Sequence, residues 1–260
     1  EVSEEGERLA ERLREYEEEL GKVQETIRGY NARIKENEQQ IERLQKELNE
    51  KQEKLRIGQT AYHRESSRLE SLKNITERYD GYGNSIRKVM ANKDREKGLI
   101  GVVADIIKVD KEYEIAIETA LGGSIQNIVT DNEETAKRMI AFLKKNKFGR
   151  ATFLPLTSMH GNGGIRTPEA LKESGVIGLA NTLVHVEKRF TGLADQLLGR
   201  TIVVRTIDDG IAIARKYRQS LRLVTLEGEL INPGGSMTGG AFKNSSNLLS
   251  RRREIEEFEK

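Results

Sequence analysis

Every seventh residue from Leu13 is apolar or aromatic as far as Leu69: Leu13, Leu20, Ile27, Ile34, Ile41, Leu48, Leu55, Tyr62 and Leu69. Three residues later in each heptad stand Tyr16, Val23, Tyr30, Asn37, Leu44, Lys51, Gly58, Glu65 and Leu72. A strict seven-residue spacing precesses around a straight helix, so such a stripe stays buried only when two helices supercoil. Residues 1–80 are therefore expected to form one strand of a coiled-coil arm. Lys51, Gly58 and Glu65 weaken three successive layers, which predicts either a loosened stretch with outward-reaching side chains or a bend near Gly58.

Beyond Gly81 the period changes repeatedly, as mixed helix and sheet requires. Ile100–Ile107 reads as a strand, and Asp110 as the N-cap of a helix ended by Gly122-Gly123. Ile125–Thr130 is a second strand. Asp131-x-x-Glu134 starts a helix running to about Lys147, with Ala136, Ile140 and Leu143 on its inner face and Gly149 closing it. Ala151–Leu154 is a third strand. The run Thr157–Thr167, with Gly161, Asn162, Gly163 and Gly164, is loop chemistry and marks a boundary between two lobes. After it come strands near Val184 and Val186, at Thr201–Val204, Leu221–Leu226 and Glu227–Ile231, and helices at Lys188–Leu198 and Asp208–Tyr217. Two similar αβ lobes with antiparallel pairings fit this order better than one doubly wound parallel sheet. The fold class is thus α+β: a two-lobed domain with mixed β-sheets and flanking helices, residues 81–247, preceded by a long coiled-coil helix. Residues 248–260 begin a returning helix. Ten or so residues cannot cover a stripe of more than seventy, so the antiparallel arm helix is expected to be largely missing from this chain, a piece of something longer.

Composition narrows the chemistry. The chain has 260 residues, 33% of them charged and only 5% aromatic, with no cysteine. That excludes disulfide scaffolds, thiolate metal sites and cysteine nucleophiles. No apolar run is long enough to span a bilayer and Glu1–Leu20 is acidic, so a cytoplasmic protein with no membrane contact is expected. The first 80 residues hold 16 Lys/Arg against 20 Asp/Glu, which leaves the remainder basic. His63, His160 and His185 lack metal-ligand spacing, so no metal and no catalytic group is assigned. A rival enzymatic reading rests only on the Gly161 loop with Arg150 and His160.

The most conspicuous segment is Asn232-Pro-Gly-Gly-Ser-Met-Thr-Gly-Gly240. A Walker loop needs Gly-Lys-Ser/Thr at its end, whereas Ala241 and Phe242 follow here, so nucleotide binding is not expected and no cofactor is assigned. Two Gly-Gly pairs around Ser-Met-Thr point instead to a backbone that another backbone approaches closely.

Together with the heptad helix, Gly149-Arg-Ala-Thr-Phe-Leu-Pro-Leu156 and Glu227-Gly-Glu-Leu-Ile-Asn-Pro-Gly-Gly-Ser-Met-Thr-Gly-Gly240 resemble the hinge of a bacterial structural-maintenance-of-chromosomes (SMC) protein with part of its arm. The resemblance implies a homodimer formed through the hinge, with Gly234, Gly235, Ser236, Met237, Thr238, Gly239 and Gly240 at the interface. It implies a longer ATPase acting in chromosome condensation and segregation, nucleoid-associated, whose ATP-binding head lies outside this chain; the hinge itself catalyses nothing. It also implies sequence-independent DNA contact near the arm junction, for which the candidates are Arg87, Lys88, Lys93, Arg95, Lys97, Lys243, Arg251, Arg252 and Arg253. A hinge of a related SMC-type DNA-repair protein with a different partner is the alternative.

Overall fold

The computed structural model describes residues 1–77, 82–241 and 248–260. They divide into two compact units, Glu1–Glu65 and Ser66–Lys260. The first is helix throughout, part of α1 (Val2–Glu77), which runs unbroken through Gly58 for 76 residues, roughly 110 Å at about 1.5 Å per residue. Its heptad residues, from Leu9 and Leu13 to Leu55 and Tyr62, are all more than half exposed. The stripe read from the sequence is present as an uncovered face.

The second unit contains, after the last turns of α1, α2 (Asn84–Met90), β1 (Leu99–Val102), α3 (Val103–Ile106), β2 (Lys108–Val109), α4 (Glu114–Leu121), β3 (Ile128–Thr130), α5 (Glu133–Asn146) and β4 (Phe153–Pro155). There follow β5 (Val176–Leu179), β6 (Val184–His185), α6 (Thr191–Leu198), β7 (Thr201–Val204), α7 (Ile207–Lys216), β8 (Arg222–Thr225), β9 (Leu230–Ile231), β10 (Met237–Thr238) and α8 (Leu248–Glu259).

The order is a repeat. A strand, a short helical turn, a two-residue strand, a helix and a strand-helix-strand unit occur first as β1 to β4 and again as β5 to β8. In both halves the first strand pairs antiparallel with the next long one, which pairs parallel with the last: β1-β3-β4 and β5-β7-β8. The parallel step requires a crossover, which α5 and α7 supply. The repeat is faintly visible in sequence. Asp110-Lys-Glu-Tyr113 leads into α4, which ends at Leu121-Gly122; Glu187-Lys-Arg-Phe190 leads into α6, which ends at Leu198-Gly199. The short strands β2 and β6 pair with each other across the halves, Lys108 opposite His185 and Val109 opposite Val184.

In the second half β9 and β10 extend the sheet to five strands, in the order β10-β9-β8-β7-β5. The period-two alternation of its strands sorts side chains between two cores. Ile202, Val204 and Leu223 join Ile213 and Ala214 of α7 on one face. Val203 and Val224 join Leu193 and Leu198 of α6, together with the whole first-lobe core of Val102, Ile117, Ile128 and their neighbours, on the other. The two cores are therefore divided by the five-stranded sheet, while the glycine loop at 157–167 lies between the two repeated halves along the chain.

Several local expectations are corrected. The stretch 100–107 is not one strand: Val103–Ile106 turn into α3, whose Val103 and Ala104 are fully buried. Asp110 makes no side-chain cap. Asn132, not Asp131, caps α5, its side chain accepting from Thr135 N–H, while Asp131 takes the Thr135 hydroxyl at 2.7 Å. The inner face of α5 is Ala136, Met139 and Leu143, and Ile140 is 53% exposed. Lys147, with φ 53° and ψ 41°, makes the left-handed turn expected of Gly149. The strands β5 and β10 are additional to those the pattern predicts.

Candidate dimer interface and basic groove

The glycine segment lies at the rim of the five-stranded sheet. Asn232 N–H donates to Ser236 O at 2.9 Å and Gly235 N–H to Asn232 O at 2.9 Å, a tight turn that folds β10 back onto β9 with Met237 opposite Ile231 and Thr238 opposite Leu230. Gly234 N–H is held by Gln219 O at 2.7 Å. Gly234, Gly235 and Gly240 have φ of 92°, 97° and 126°, which side-chain-bearing residues rarely adopt. Gly239 has no such φ; a methyl there would meet Glu229 Cγ at 3.1 Å. Positive φ thus accounts for Gly234, Gly235 and Gly240, whereas at Gly239 the Glu229 side chain leaves little room for a methyl.

Hydrogen bonding in this ribbon leaves a usable edge. Antiparallel pairs alternate between bonded and non-bonded. The Asn232–Ser236 bond makes the next pair, Ile231–Met237, the non-bonded one, so Met237 N–H and C=O point away from β9. Ser236, Met237, Thr238, Gly239 and Gly240 are exposed.

The basic candidates separate. Arg87 and Lys88 are exposed on α2, where Lys88 Nζ sits 5.1 Å from the centre of the Phe148 ring. Lys93, Arg95 and Lys97 are exposed on the turns that follow. Lys243 lies outside the described residues. Of the three arginines of α8, Arg252 donates to Asp105 O, and Arg253 is held inside, paired with buried Glu114 and, at 2.8 Å, with Glu257. Arg253 therefore has its charge compensated. Lys93 and Arg252 do converge, on a groove of about 550 Å³ floored by Ile100, Ile106, Val186 and Phe190. Two cations that the sequence reading omitted, Lys108 and Arg189, line it as well, with Asp105 and Glu187. Lys108 reaches Glu256 of α8 at 2.8 Å, and Arg189 stacks 4.5 Å over Phe190. The only sequence signal for these two was their place near β2 and β6, whose pairing was not foreseen.

At the arm junction, α8 packs on α3, α4 and β2 with Leu249 and Ile255 buried. Glu118, one turn beyond Glu114 on α4, accepts the Leu248 N–H. Burial pushes its carboxyl up to about 7, helped by the charge of Glu114 and opposed by that hydrogen bond. Arg68 and Lys73 near the end of α1 meet Glu254 and Glu259, and Arg68 lies over the Phe258 ring.

The glycine loop of the rival reading is a packing element. Gly192 lies so close to it that a methyl would fall 2.2 Å from Met159 O. Arg200 donates to Asn162 O at 2.8 Å. Arg150 lies elsewhere, its carbonyl accepting from Ser85 Oγ at 2.7 Å. Among the described residues there is no cluster of three or more His, Cys, Asp or Glu able to hold a metal, and no helix long and apolar enough to cross a membrane.

The SMC proteins Flexible Hinge Domain profile matches residues 96–214, the span from β1 to α7. The fold superposes with a TM-score of 0.71 on a solved asymmetric dimer of the Geobacillus stearothermophilus SMC hinge domain, at 34% identity over 77% of this chain and 82% of that one. The chain belongs to the SMC hinge family. The Pyrococcus furiosus SMC hinge domain is a more distant match, TM-score 0.52 at 29% identity over 71% of this chain and 92% of that one. The chromosome partition proteins Smc of Lactiplantibacillus plantarum and Bacillus subtilis are 36% and 38% identical over 94% and 75% of this chain, and 20% and 17% of their own lengths. This hinge chain thus spans about a fifth of the curated relatives it matches. The matched span ends within α7, so β8, β9, β10 and α8 lie after it.

Proposed function

We propose that this chain is the homodimerising hinge of a chromosome-partition SMC protein, with residues 1–80 as one arm strand, 81–247 as the hinge and 248–260 as the start of the return strand. The observation that carries the reading is the exposed β10 rim, where Met237 presents an outward N–H and C=O beside glycines 234, 235, 239 and 240. An exposed edge is a template for another strand, and a second copy offers it in the self-complementary arrangement of a two-fold dimer. The longer protein is an ATPase whose nucleotide site lies elsewhere; this part connects two arms. Sedimentation equilibrium of the 260-residue chain tests it: a mass of twice 29.4 kDa is expected. A monomer at every concentration overturns homodimerisation and favours a hinge that pairs only with a different chain.

A second reading, contact with nucleic-acid phosphates, is favoured by the convergence of Lys93 and Arg252 on one groove, beside Lys108 and Arg189, which are paired with Glu256 and Glu187. Binding driven by phosphate neutralisation is insensitive to base sequence and falls steeply with salt. Retention of a mixed-sequence oligonucleotide at low salt is expected to drop at least several-fold in the double variant Lys93→Glu, Arg252→Glu. Unchanged retention removes the groove as the contact.

A further inference from the structure

We propose that Gln219, in the turn between α7 and β8, is the positioning residue for the β10 edge: its left-handed backbone aims a carbonyl at Gly234 and so sets where that edge lies. The inference rests on the reading of β10 as the dimer-forming edge and adds what holds the edge in place.

The glycine ribbon has little hold of its own. β10 is only Met237 and Thr238, and its one neighbour in the sheet is β9, as short as itself. A two-stranded ribbon is at best marginally stable by itself. The bonds inside its turn are internal to it: Asn232 N–H to Ser236 O, Gly235 N–H to Asn232 O, and Asn232 Nδ2 to Ser236 Oγ at 3.3 Å. Among the described residues, the 2.7 Å bond from Gly234 N–H to Gln219 O is the one that ties this turn to the body of the fold. The Gln219 side chain packs there too, since a methyl on Gly235 would meet its Cδ and Oε1 at 3.6 Å.

Arg218 and Gln219 are successive left-handed residues, with φ of 56° and 59°, a conformation that is uncommon outside glycine. One such residue is enough to end a helix. The other half of the repeat supplies the comparison. There α5 closes with Lys147 N–H donating to Lys144 O and Phe148 N–H to Leu143 O; α7 closes at the same spacings, Arg218 N–H to Arg215 O and Gln219 N–H to Ala214 O. At α5 only Lys147, the counterpart of Arg218, is left-handed, and Phe148, the counterpart of Gln219, is not. Closing the helix therefore accounts for Arg218 and leaves Gln219 without a local cause. The two carbonyls are used differently: Phe148 O meets the Asn84 side-chain amide at 3.4 Å, whereas Gln219 O takes the Gly234 N–H. Strain of this kind persists only where the surroundings over-determine it, and it gathers at functional positions.

The consequence is carried along the ribbon. Gly234 held at Gln219 fixes the turn, the turn fixes the Asn232–Ser236 bond, and that bond makes Ile231–Met237 the non-bonded pair whose Met237 N–H points outward. An edge that is already in place pairs with its copy at little ordering cost; one that moves must be ordered on association, and affinity falls.

Gln219→Val tests the role, because a β-branched residue is a genuine outlier at positive φ and the carbonyl must turn away. The dimer dissociation constant, from sedimentation equilibrium at a temperature where the chain stays folded, is expected to rise about threefold to tenfold, the worth of one hydrogen bond. Gln219→Asn, which accepts the left-handed region, is expected to restore the parent's affinity. Lys147→Val imposes the same clash on the turn of the other half; it is expected to lower the unfolding temperature and leave the dissociation constant unchanged, which separates lost stability from lost positioning. Hydrogen exchange at Gly234 needs no change at Gln219 and decides the matter if Gln219→Val does not fold. In a Met237→Pro chain, whose edge lacks its outward N–H, the Gly234 amide is expected to exchange at least several-fold more slowly than an unprotected peptide amide. An unprotected Gly234, an equal loss of affinity in Lys147→Val, or parental affinity in Gln219→Val while Met237→Pro is weakened overturns the positioning role alone. Parental affinity in Met237→Pro overturns the edge reading, and the positioning role with it.

Discussion

Replacing Met237 by proline isolates the rim of the sheet from the rest of the fold. Proline deletes the N–H and fixes φ. At Met237 that N–H faces outward, because the Asn232–Ser236 hydrogen bond assigns the neighbouring pair Ile231–Met237 to the non-bonded class. The ladder to β9 survives, and the 53% exposed side chain gives up little packing, so the isolated protomer should lose no more than about 1 kcal/mol. At a strand-to-strand interface the partner's acceptor would be left without a donor, at about 1–3 kcal/mol. Two-fold symmetry applies this twice, about 2–6 kcal/mol in all, which weakens the dimer roughly 30-fold to 20,000-fold. Sedimentation equilibrium across a dilution series gives the dissociation constant, and thermal unfolding followed by circular dichroism checks the protomer. Thr238→Pro serves as the contrast: alternation turns that N–H inward to β9, so the ladder itself breaks. A Met237→Pro chain that unfolds normally and dimerises as tightly as the parent refutes pairing through this edge.

Gly192→Ala drives a methyl to 2.2 Å from Met159 O; the backbone of the loop must move, and a loss of about 1–3 kcal/mol in denaturant unfolding is expected. Arg222→Met removes hydrogen bonds of 2.9 Å to Ala120 O and 2.7 Å to Thr201 Oγ1, tying α4 of one half to β7 of the other. Burial holds that guanidinium below its ordinary pKa, so the lost bonds are partly offset by relief of desolvation and the expected cost is about 1–2 kcal/mol, read by thermal melting. Lys147→Gly relieves a left-handed residue at the end of α5 and should stabilise by about 0.5–1 kcal/mol in the same assay.

The long helix was legible because one signal, the heptad, persists over many turns and meets no competing tertiary contact. Helices α5, α6 and α7 and strands β7 and β8 were legible for a related reason: local pattern and burial agree there. Where tertiary packing overrules the local pattern, reading failed. Val102, Val103 and Ala104 are all buried on every side, so a continuous apolar run gave no period with which to separate strand from helix at α3. On α5, Met139 and Ile140 are adjacent and both apolar; only the position of β3 and β4 decides which one faces inward. The glycine segment stands out by composition, but bareness is only part of its reason, since positive φ accounts for Gly234, Gly235 and Gly240. The groove was half legible. Lys93 and Arg252 carried the junction argument, whereas Lys108 and Arg189 reach it only through the β2–β6 pairing, a contact between short strands far apart in sequence. Arg253 shows the converse: a residue that reads as surface charge turns inward because Glu114 waits for it.

Because apolar side chains seal β7 and β8 from above and below, association by stacking would require stripping a core from one side. A strand added at the β10 edge, by contrast, needs no such stripping. Growth there is lateral and keeps every existing layer intact, so two such bodies could join and part repeatedly without either one unfolding.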